Sequence, residues 1–429
     1  MLKPLLPKTV MNKHETIYRE AQAQAIAANG AGWLHDTQSE ALERFLEQGF
    51  PPAKLENWRY TDLSAMAVAT PELLGQSASG SAAELPETAN HRLLFVNGRF
   101  DATGSQIKDL PEGVVLGTLA DAEANSELLV ADPEAASSLR ALNTALLNDA
   151  AIIHIPDNTV LDKLVHVVFS NTAGATVFPR LVVMLGKNAH ATVIEHHVGS
   201  GAAVSNVITD IVCADGAQLS YQKLQEEDGD TYHVAAQTIR LQKDARCDVV
   251  NIDLGAKLAR NDLRIEFAGS GAEAAANGLF LVDGERHVDN HVHLEHQAPH
   301  TGNRVHYAGV ISDKARGVFN GMIHVHQAAQ KTDAALYNKN VLLTKGAEIN
   351  TKPELEIYAD DVKCAHGSTT GQLDANSLFY LRARGVPELE ARNMLVHAFA
   401  IEVIQKLASD GLREYVQASV EKRLSGSNG

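Results

Sequence analysis

The segment "ADDVKCAHGSTTG", residues 359–371, places a cysteine two residues before a histidine. In an extended strand Cys364 and His366 lie on the same face, with Cα atoms about 6.5 Å apart, because side chains alternate along a strand. A thiolate and an imidazole at this spacing can ligate a soft metal ion or an iron–sulfur cluster. The alternative is a buried thiol beside a turn histidine, since a single C-x-H pair has little specificity.

A second group of potential ligands lies between residues 287 and 326, which contain eight of the 19 histidines. In "GERHVDNHVHLEH", strand alternation places imidazoles and carboxylates on one face and apolar residues on the other. The polar face consists of Glu285, His287, Asp289, His291, His293 and Glu295, and the inward face of Val288, Val292 and Leu294. These are ligand types for a transition metal, with His291 and His293 as the candidates. The other interpretations are a polar outer face of the fold and a surface covered by a partner.

Composition excludes several classes of function. The 429 residues have a formal net charge of −16, so nucleic-acid binding is not expected. No apolar run approaches the ~20 residues of a membrane span, and the N-terminus does not resemble a signal peptide. Three widely spaced cysteines without a CxxC pair indicate a reducing cytoplasm. No GxxxxGK[ST] segment occurs, so the chain lacks the usual loop that binds nucleotide phosphates.

From about residue 152, apolar residues recur with a period of two, as in "DLRIEFAG". Turn-like starts containing an alanine also recur, and the first three spacings are 28, 28 and 27 residues. These alanines are Ala189, Ala217, Ala245, Ala272, Ala315 and Ala347. A period near 28 with two or three strands per unit predicts a β-solenoid. An ordinary β-sandwich or barrel is the alternative.

Helical patterns flank this region. Residues 1–150 are predicted to be helical or mixed, with a linker in "GQSASGSAAELPE" and a hairpin that turns at Asn97–Gly98. Residues 151–372 are predicted to form the β-solenoid core, and residues 373–429 a C-terminal helical domain. In this last domain one helix ends at Gly385, Pro387 opens the next, and an apolar row follows. The row consists of Leu395, Phe399, Val403 and Leu407.

Three motifs together resemble the SufB/SufD family of the SUF iron–sulfur cluster assembly system. They are "ENWRYTDL" (residues 56–63), "NKNVLLTKGAEINTKPELEIYADDVKCAHGSTTGQLD" (338–374) and "FYLRARGVPELEARNML" (379–395). The K-C-x-H-G-x-T pattern of residues 363–369 is similar to the SufD branch, whereas SufB has a carboxylate-rich stretch at this place. The resemblance covers most of the chain and is strongest after about residue 300.

The resemblance implies a right-handed parallel β-helix flanked by helical regions, acting as a non-enzymatic scaffold. The scaffold would pair with a SufB-like subunit and dock a SufC-like ATPase through its C-terminal helices, where Arg382, Arg384 and Arg392 lie near the helix break. Cys364 and His366 match the positions that the family implicates in a transient iron–sulfur cluster shared with SufB. A reduced flavin is associated with the family's full complex, and no residue is assigned to it here. Whether the isolated chain is a monomer or a homodimer stays open.

The strand pattern adds an expectation about orientation. If "ELEIYADDVKCAH" is one continuous strand, Leu355, Ile357 and Ala359 face the core, and Cys364 and His366 face outward. Two ligands are too few for a four-ligand cluster, so the site would be shared with a partner. Two rival functions are a carbohydrate-active β-helix enzyme and a stand-alone His-rich metal-binding module. The aromatic fraction of 5% argues against the first. The adjacent Asp360 and Asp361 would point to opposite faces of a strand, so they are poorly placed to act as a catalytic pair.

Overall fold

The computed structural model describes residues 8–74, 91–122, 137–227 and 229–426. The linker predicted in "GQSASGSAAELPE" lies outside these residues. The helices are α1 Lys8–Asn29, α2 His35–Gln48, α3 Ser64–Leu74, α4 Ser138–Ala145, α5 Ala375–Ala383, α6 Glu388–Ile404 and α7 Asp410–Gly426. The strands are β1 His91–Val96, β2 Arg99–Phe100, β3 Val115–Gly117, β4 Ala151–Ile155, β5 Val165–Asn171, β6 Thr176–Val177, β7 Arg180–Leu185, β8 His190–Gly199, β9 Val204–Cys213, β10 Gln218–Gln225, β11 Tyr232–Leu241, β12 Arg246–Asp253, β13 Leu258–Phe267, β14 Glu273–Val282, β15 His287–His296, β16 Gly302–Ile311, β17 Arg316–Val325, β18 Asp333–Leu342, β19 Glu348–Ile357 and β20 Lys363–Gly371.

The strands form two long sheets that face each other. One has the order β2-β1-β5-β8-β10-β12-β14-β16-β18-β20, and the other β19-β17-β15-β13-β11-β9-β7-β4-β3. From β8 onward, successive strands alternate between the sheets and pair in parallel with the coil before and after. The chain is therefore a β-solenoid of about eight turns with helices at both ends, which confirms the predicted fold class.

The alanine repeat marks the turn before successive strands of the first sheet. Ala189, Ala217, Ala245 and Ala272 are completely buried and directly precede β8, β10, β12 and β14. In the next two coils Thr301 and Thr332 take this place, with their hydroxyls 3.1 Å apart. Ala315 and Ala347, the later members of the predicted repeat, also stand at turns directly before strands, but these strands are β17 and β19 of the other sheet. The coils lengthen here, and a fixed spacing therefore falls out of phase.

The N-terminal region starts the solenoid and covers one of its faces. β1 and β2 form the predicted antiparallel hairpin, whose turn residues Asn97 and Gly98 both have positive φ. β1 then pairs in parallel with β5, so the hairpin begins the first sheet. Side chains of α1–α4 pack on the outer face of the second sheet, against Phe178, Val204, Val234 and Leu258.

The C-terminal helices cover the outer face of the first sheet. Gly385, with φ of 88°, follows α5, and Pro387 directly precedes α6. Buried side chains of α6 and α7 contact apolar residues that β8–β16 direct away from the solenoid interior. On α6 the buried side chains are Ala391, Val396, Ala400, Val403 and Ile404. Of the predicted row, Val403 and Leu407 are buried, whereas Leu395 and Phe399 are only half-buried. The domain boundaries at 150 and 372 stay predictions.

Within the described ranges, no helix is both long and apolar enough to cross a membrane.

Candidate functional site

Cys364 and His366 lie on β20, the last strand of the first sheet. Cys364 pairs in register with Ala334 and His366 with Leu336, and both of these partners are core residues. The two candidate ligands therefore share a face, and that face continues the interior of the solenoid. Cys364 is half-buried against the core, whereas His366 is exposed because no further coil follows.

The expected outward orientation of this pair is wrong. Residues 358–362 leave the second sheet and enter the first, so Leu355 on β19 and Cys364 on β20 belong to different sheets. Both side chains pack against the same core from opposite sides. We call this uncapped end of the solenoid, formed by β19 and β20, the open end. It exposes two strand edges and a half-covered apolar interior, as an interface with another chain would.

The local environment of Cys364 bears on its chemistry. Burial raises the pKa of the Cys364 thiol, and the Asp333 carboxylate adds to this shift. The thiol is therefore protonated at neutral pH in the chain alone. Only a thiolate ligates a metal, so a bound metal or a neighbouring cation would have to favour its deprotonation. The buried Cys213 and Cys247 also have raised pKa values because of desolvation, and they are inert core thiols.

The predicted polar stripe on β15 divides into two parts. In the first part, Asp289 is buried and accepts hydrogen bonds from Arg260 (2.6 Å) and Thr61 (2.5 Å). The Arg260 guanidinium lies 3.8 Å from the centre of the Trp58 ring. Burial opposes ionisation of Asp289, but the charges of Arg260 and His291 and the hydrogen bonds from His291 and Thr61 together hold the pKa of Asp289 well below its usual range. This part attaches the N-terminal "ENWRYTDL" segment to the solenoid.

The structure changes the interpretation of two members of the predicted stripe, Glu285 and His291. Glu285 lies in the turn before β15 and does not share the strand face, which corrects the expectation. His291 directs Nε2 to Asp289 Oδ1 at 3.0 Å. His291 and His293, the two metal candidates, therefore pair with different carboxylates.

The second part is a cluster around Glu295, whose side chain is only 7% exposed. His293 Nε2 lies 2.7 Å from Oε2 of Glu295, and His324 Nδ1 lies 2.8 Å from Oε1. His326 Nε2 also contacts Oε1. Burial would raise the pKa of Glu295, but hydrogen bonds from His293 and His326 lower it to about 2. We call His293, Glu295, His324 and His326 the outer histidine cluster.

A third polar group lies inside the solenoid and was missed in the sequence. Glu195 accepts hydrogen bonds from His197 (2.6 Å), Thr209 (2.7 Å) and Tyr221 (2.6 Å). His233 lies 2.8 Å from Lys223 Nζ and 2.7 Å from Glu227. We call these residues the interior network: Glu195, His197, Thr209, Tyr221, Lys223, Glu227 and His233. Each is at most 1% exposed.

Burial and mutual charge shift the titration of the interior network. Burial lowers the pKa of Lys223, against the opposing charges of Asp253, Glu195 and Glu227. Burial would raise the pKa of Glu195, but the hydrogen bond and charge of His197 lower it to about 2. The inward orientation of Glu195 and His197 could have been predicted from "HATVIEHHVG", where Ala191, Val193, Glu195 and His197 occupy alternate positions. Extending the apolar face of this strand would have placed both polar residues inside.

The three arginines near the break between α5 and α6 have local partners. Arg382 Nη1 and Arg392 Nε lie 3.2 and 3.6 Å from the Glu388 carboxylate. The Arg384 guanidinium lies 4.6 Å from the centre of the Tyr380 ring. The same hairpin exposes four large apolar side chains, which are Phe379, Tyr380, Leu389 and Met394. The apolar surface was missed because "LFYL" was interpreted only as a helix.

Comparison with known proteins identifies the family. Residues 168–399 match the family described as "SUF system FeS cluster assembly, SufBD core domain", and residues 8–167 match the SufBD protein N-terminal region. The chain belongs to the SufBD family. The core match includes both the open end and the outer histidine cluster, and the N-terminal match includes the "ENWRYTDL" motif.

Sequence identity to individual proteins supports the same family. The chain is 32% identical to the iron–sulfur cluster assembly protein SufD of Escherichia coli over 407 residues, which cover 90% of this chain and 92% of that protein. It is also 32% identical to a SufBD family protein of Synechocystis over 395 residues, or 87% of each chain. SufD of Bacillus subtilis is 22% identical over 91% of this chain and 94% of its own length. These matches confirm the resemblance to SufD and support a role of this SufBD protein in iron–sulfur cluster assembly.

Proposed function

We propose that this SufBD protein is a non-enzymatic scaffold that holds a nascent iron–sulfur cluster together with a SufB-like subunit at the open end of its solenoid. The observation that supports the proposal is the placement of Cys364 and His366 on the last strand of the solenoid, at the open end. There the interior face of β20 is half-covered, and His366 is fully available to a partner. The cysteine usage of the chain fits assembly in the cytoplasm.

The ligand count supports a shared site. Iron–sulfur clusters are usually held by four protein ligands, and the open end offers one thiol and one imidazole. A partner solenoid that continues the two sheets past β19 and β20 would bring its own ligands to the same place. The cluster is cargo in this proposal. The reduced flavin stays a prediction with no assigned residue.

The C-terminal hairpin is the proposed dock for a SufC-like ATPase. Phe379 is 74% exposed and Tyr380 57%, and an aromatic pair of this size on a helix surface is typical of an interaction anchor. Arg382 and Arg392 share Glu388 in exposed ion pairs, which contribute little to stability. They remain available to a partner that offers a carboxylate.

The decisive variant for the open end is His366→Ala. The exposed imidazole contributes little to the core, so the melting temperature and co-purification of the partner subunits should match the wild type. Cluster formation by the assembled complex, measured by its visible absorbance, should fall strongly. Thr369→Ala is the matched control, because Thr369 is exposed on the opposite face of the same strand. Wild-type cluster assembly by His366→Ala would refute the proposal, and so would an equal loss in the control.

The dock is tested separately with Phe379→Asp and Tyr380→Asp. Both variants should fold normally and lose the ATPase in a pull-down, with the SufB-like subunit retained. Glu414→Ala on α7 is a surface control. Retention of the ATPase by both aspartate variants would place the dock elsewhere.

A further inference from the structure

The outer histidine cluster lies on the outer face of the second sheet, away from the open end. Glu295 on β15 and His324 on β17 are register partners, and neighbouring strands lie about 4.8 Å apart. His293 lies two residues before Glu295 on the same face, and His326 two residues after His324. The four side chains thus form a staggered patch, in which parallel pairing fixes Glu295 beside His324, His293 lies opposite Met322, and His326 directly follows β17.

The donor atoms converge. One ligand atom from each of His293, Glu295 and His324 lies within 4.8 Å of the others. Metal–nitrogen and metal–oxygen bonds of about 2.0–2.2 Å place the ligands of a tetrahedral site about 3.4 Å apart. The distances of 2.7 and 2.8 Å from the two imidazoles to Glu295 therefore need to open by only about 0.6 Å for such a set. Rotation of the half-exposed His293 and His324 rings provides this room.

We propose that the outer histidine cluster binds one divalent transition-metal ion, with His293, Glu295 and His324 as ligands and His326 as a fourth. Imidazole and carboxylate without a thiol favour the iron-to-zinc series over calcium, magnesium or copper(I). Two histidines and one carboxylate are a ligand set that such ions use, and His326 would complete a four-ligand tetrahedral site.

The surroundings suit this role. Arg264 contacts Glu295 Oε2 at 3.3 Å and Glu266 Oε1 at 2.9 Å. Arg264 therefore orients the ligand carboxylate, and Glu266 partly neutralises the positive charge of Arg264. Glu356 on β19 is exposed and pairs in register with His324, so a further carboxylate lies on the next strand. His293 and His326 are 37% and 42% exposed, so an ion can enter directly from solvent.

A similar set inside the solenoid serves as a contrast. His197, Glu227 and His233 also bring three donor atoms together. They are completely enclosed, and the Lys223 ammonium lies 2.8 Å from His233 Nε2. A metal ion there would be repelled by a buried cation and would have no path from solvent. The proposal therefore concerns the outer histidine cluster alone.

The test uses the purified full chain in a Cys364→Ser/His366→Ala background, which removes the open-end ligands. Zn²⁺ is titrated calorimetrically after chelator treatment, and Co²⁺ is followed by its visible d–d absorption. One saturable site should appear, unaffected by excess Mg²⁺ or Ca²⁺. Because loss of an outer-shell partner already weakens metal sites by about 10–100-fold, His293→Ala and His324→Ala should each weaken binding by about 100-fold or more.

His291→Ala is the matched control, because His291 lies on the same strand and face but pairs with Asp289. It should bind metal like the background chain, and all variants should stay folded, with the far-UV circular dichroism spectrum of the background chain. Absence of saturable binding would overturn the proposal and leave a purely hydrogen-bonded cluster. Undiminished binding by both ligand variants, or an equal loss in His291→Ala, would overturn it as well. The assay needs no partner subunit, so its outcome is independent of the proposed scaffold function.

Discussion

Replacing Glu195 by Gln tests whether the charge inside the solenoid stabilises the fold. The carboxylate is completely buried and accepts three hydrogen bonds, from His197, Thr209 and Tyr221. Burial disfavours its ionised form, but the hydrogen bond and charge of His197, together with the Lys223 charge, lower the pKa of Glu195 from about 4.5 to about 2. At about 1.4 kcal/mol per pKa unit, ionised Glu195 contributes about 3 kcal/mol to folding at neutral pH. Glu195→Gln should therefore lower the free energy of unfolding by about 3 kcal/mol.

The pH dependence has a defined sign. The folded-state pKa of Glu195 is lower than the unfolded one, so its contribution is complete well above pH 4.5 and is lost as the pH falls towards 2. At pH 4 the difference between wild type and Glu195→Gln should be smaller by about 1 kcal/mol than at pH 7. Between pH 7 and pH 9, titration of Glu195 should not change the difference in unfolding free energy between wild type and Glu195→Gln.

The assay is equilibrium urea unfolding followed by far-UV circular dichroism at pH 7 and pH 4. Glu285→Gln is the matched control, because Glu285 makes an exposed 3.5 Å contact with Lys314 that is worth little. The control should stay within about 0.5 kcal/mol of the wild type. If Glu195→Gln also stays within that range, or if its deficit does not shrink at pH 4, the interior network does not hold a stabilising charge and the reasoning fails.

Four further outcomes follow from the packing and the motifs. A chain that ends at Asp374 loses α5–α7, and it should aggregate on size-exclusion chromatography because the outer face of the first sheet becomes uncovered; a monodisperse, folded truncation would contradict this. Ile404→Ala, in the same interface, should lower the free energy of unfolding by about 2–5 kcal/mol, and a loss below about 0.5 kcal/mol would show that α6 is held only loosely. Arg260→Met should cost about 3–5 kcal/mol, because Asp289 stays buried without its cation; an unchanged urea midpoint would argue against this. The chain alone should neither bind nor hydrolyse ATP, and saturable binding of a fluorescent ATP analogue with turnover would be the contrary result.

Strand alternation and repeat spacing favoured the solenoid over a sandwich or barrel, and the resemblance to the SufB/SufD family indicated the same fold. The hairpin at Asn97–Gly98 was also predictable, because both turn residues tolerate the positive φ that the turn requires. The orientation of Cys364 was not predictable. The turn that precedes it, at residues 358–362, has the sequence "YADDV". It lacks glycine, proline and asparagine, and its two aspartates, which also favour turns, were interpreted as strand residues. One extended strand was therefore assumed where the chain changes sheets.

The candidate sites were predictable in part, for a different physical reason. Residues of one strand, such as His293 and Glu295, could be grouped by their spacing. His324 lies 29 residues from Glu295 along the chain, and only the register between β15 and β17 brings them together. Glu195 and Lys223 were missed because a charged residue in a strand is expected to face solvent. They are inside because each has buried partners. Glu195 pairs with His197 on its own strand and with Tyr221 on the next coil. Lys223 pairs with His233 and Asn261 on other strands, which the pattern of its own strand does not reveal.

The cover that α6 and α7 provide has a consequence for synthesis on the ribosome. The outer face of the first sheet includes apolar residues from Ile194 on β8 to Val310 on β16, whereas Ile404 and Leu424, which cover it, are translated after all of these strands. At about 5–20 residues per second, the ~100 residues that separate β16 from the end of this cover take roughly 5 to 20 s to translate. During that interval a nascent solenoid exposes an apolar face while its coils are already able to form. Chains that stall before α6 are therefore expected to engage chaperones or proteases, because the apolar face is covered only after α6 and α7 have been translated.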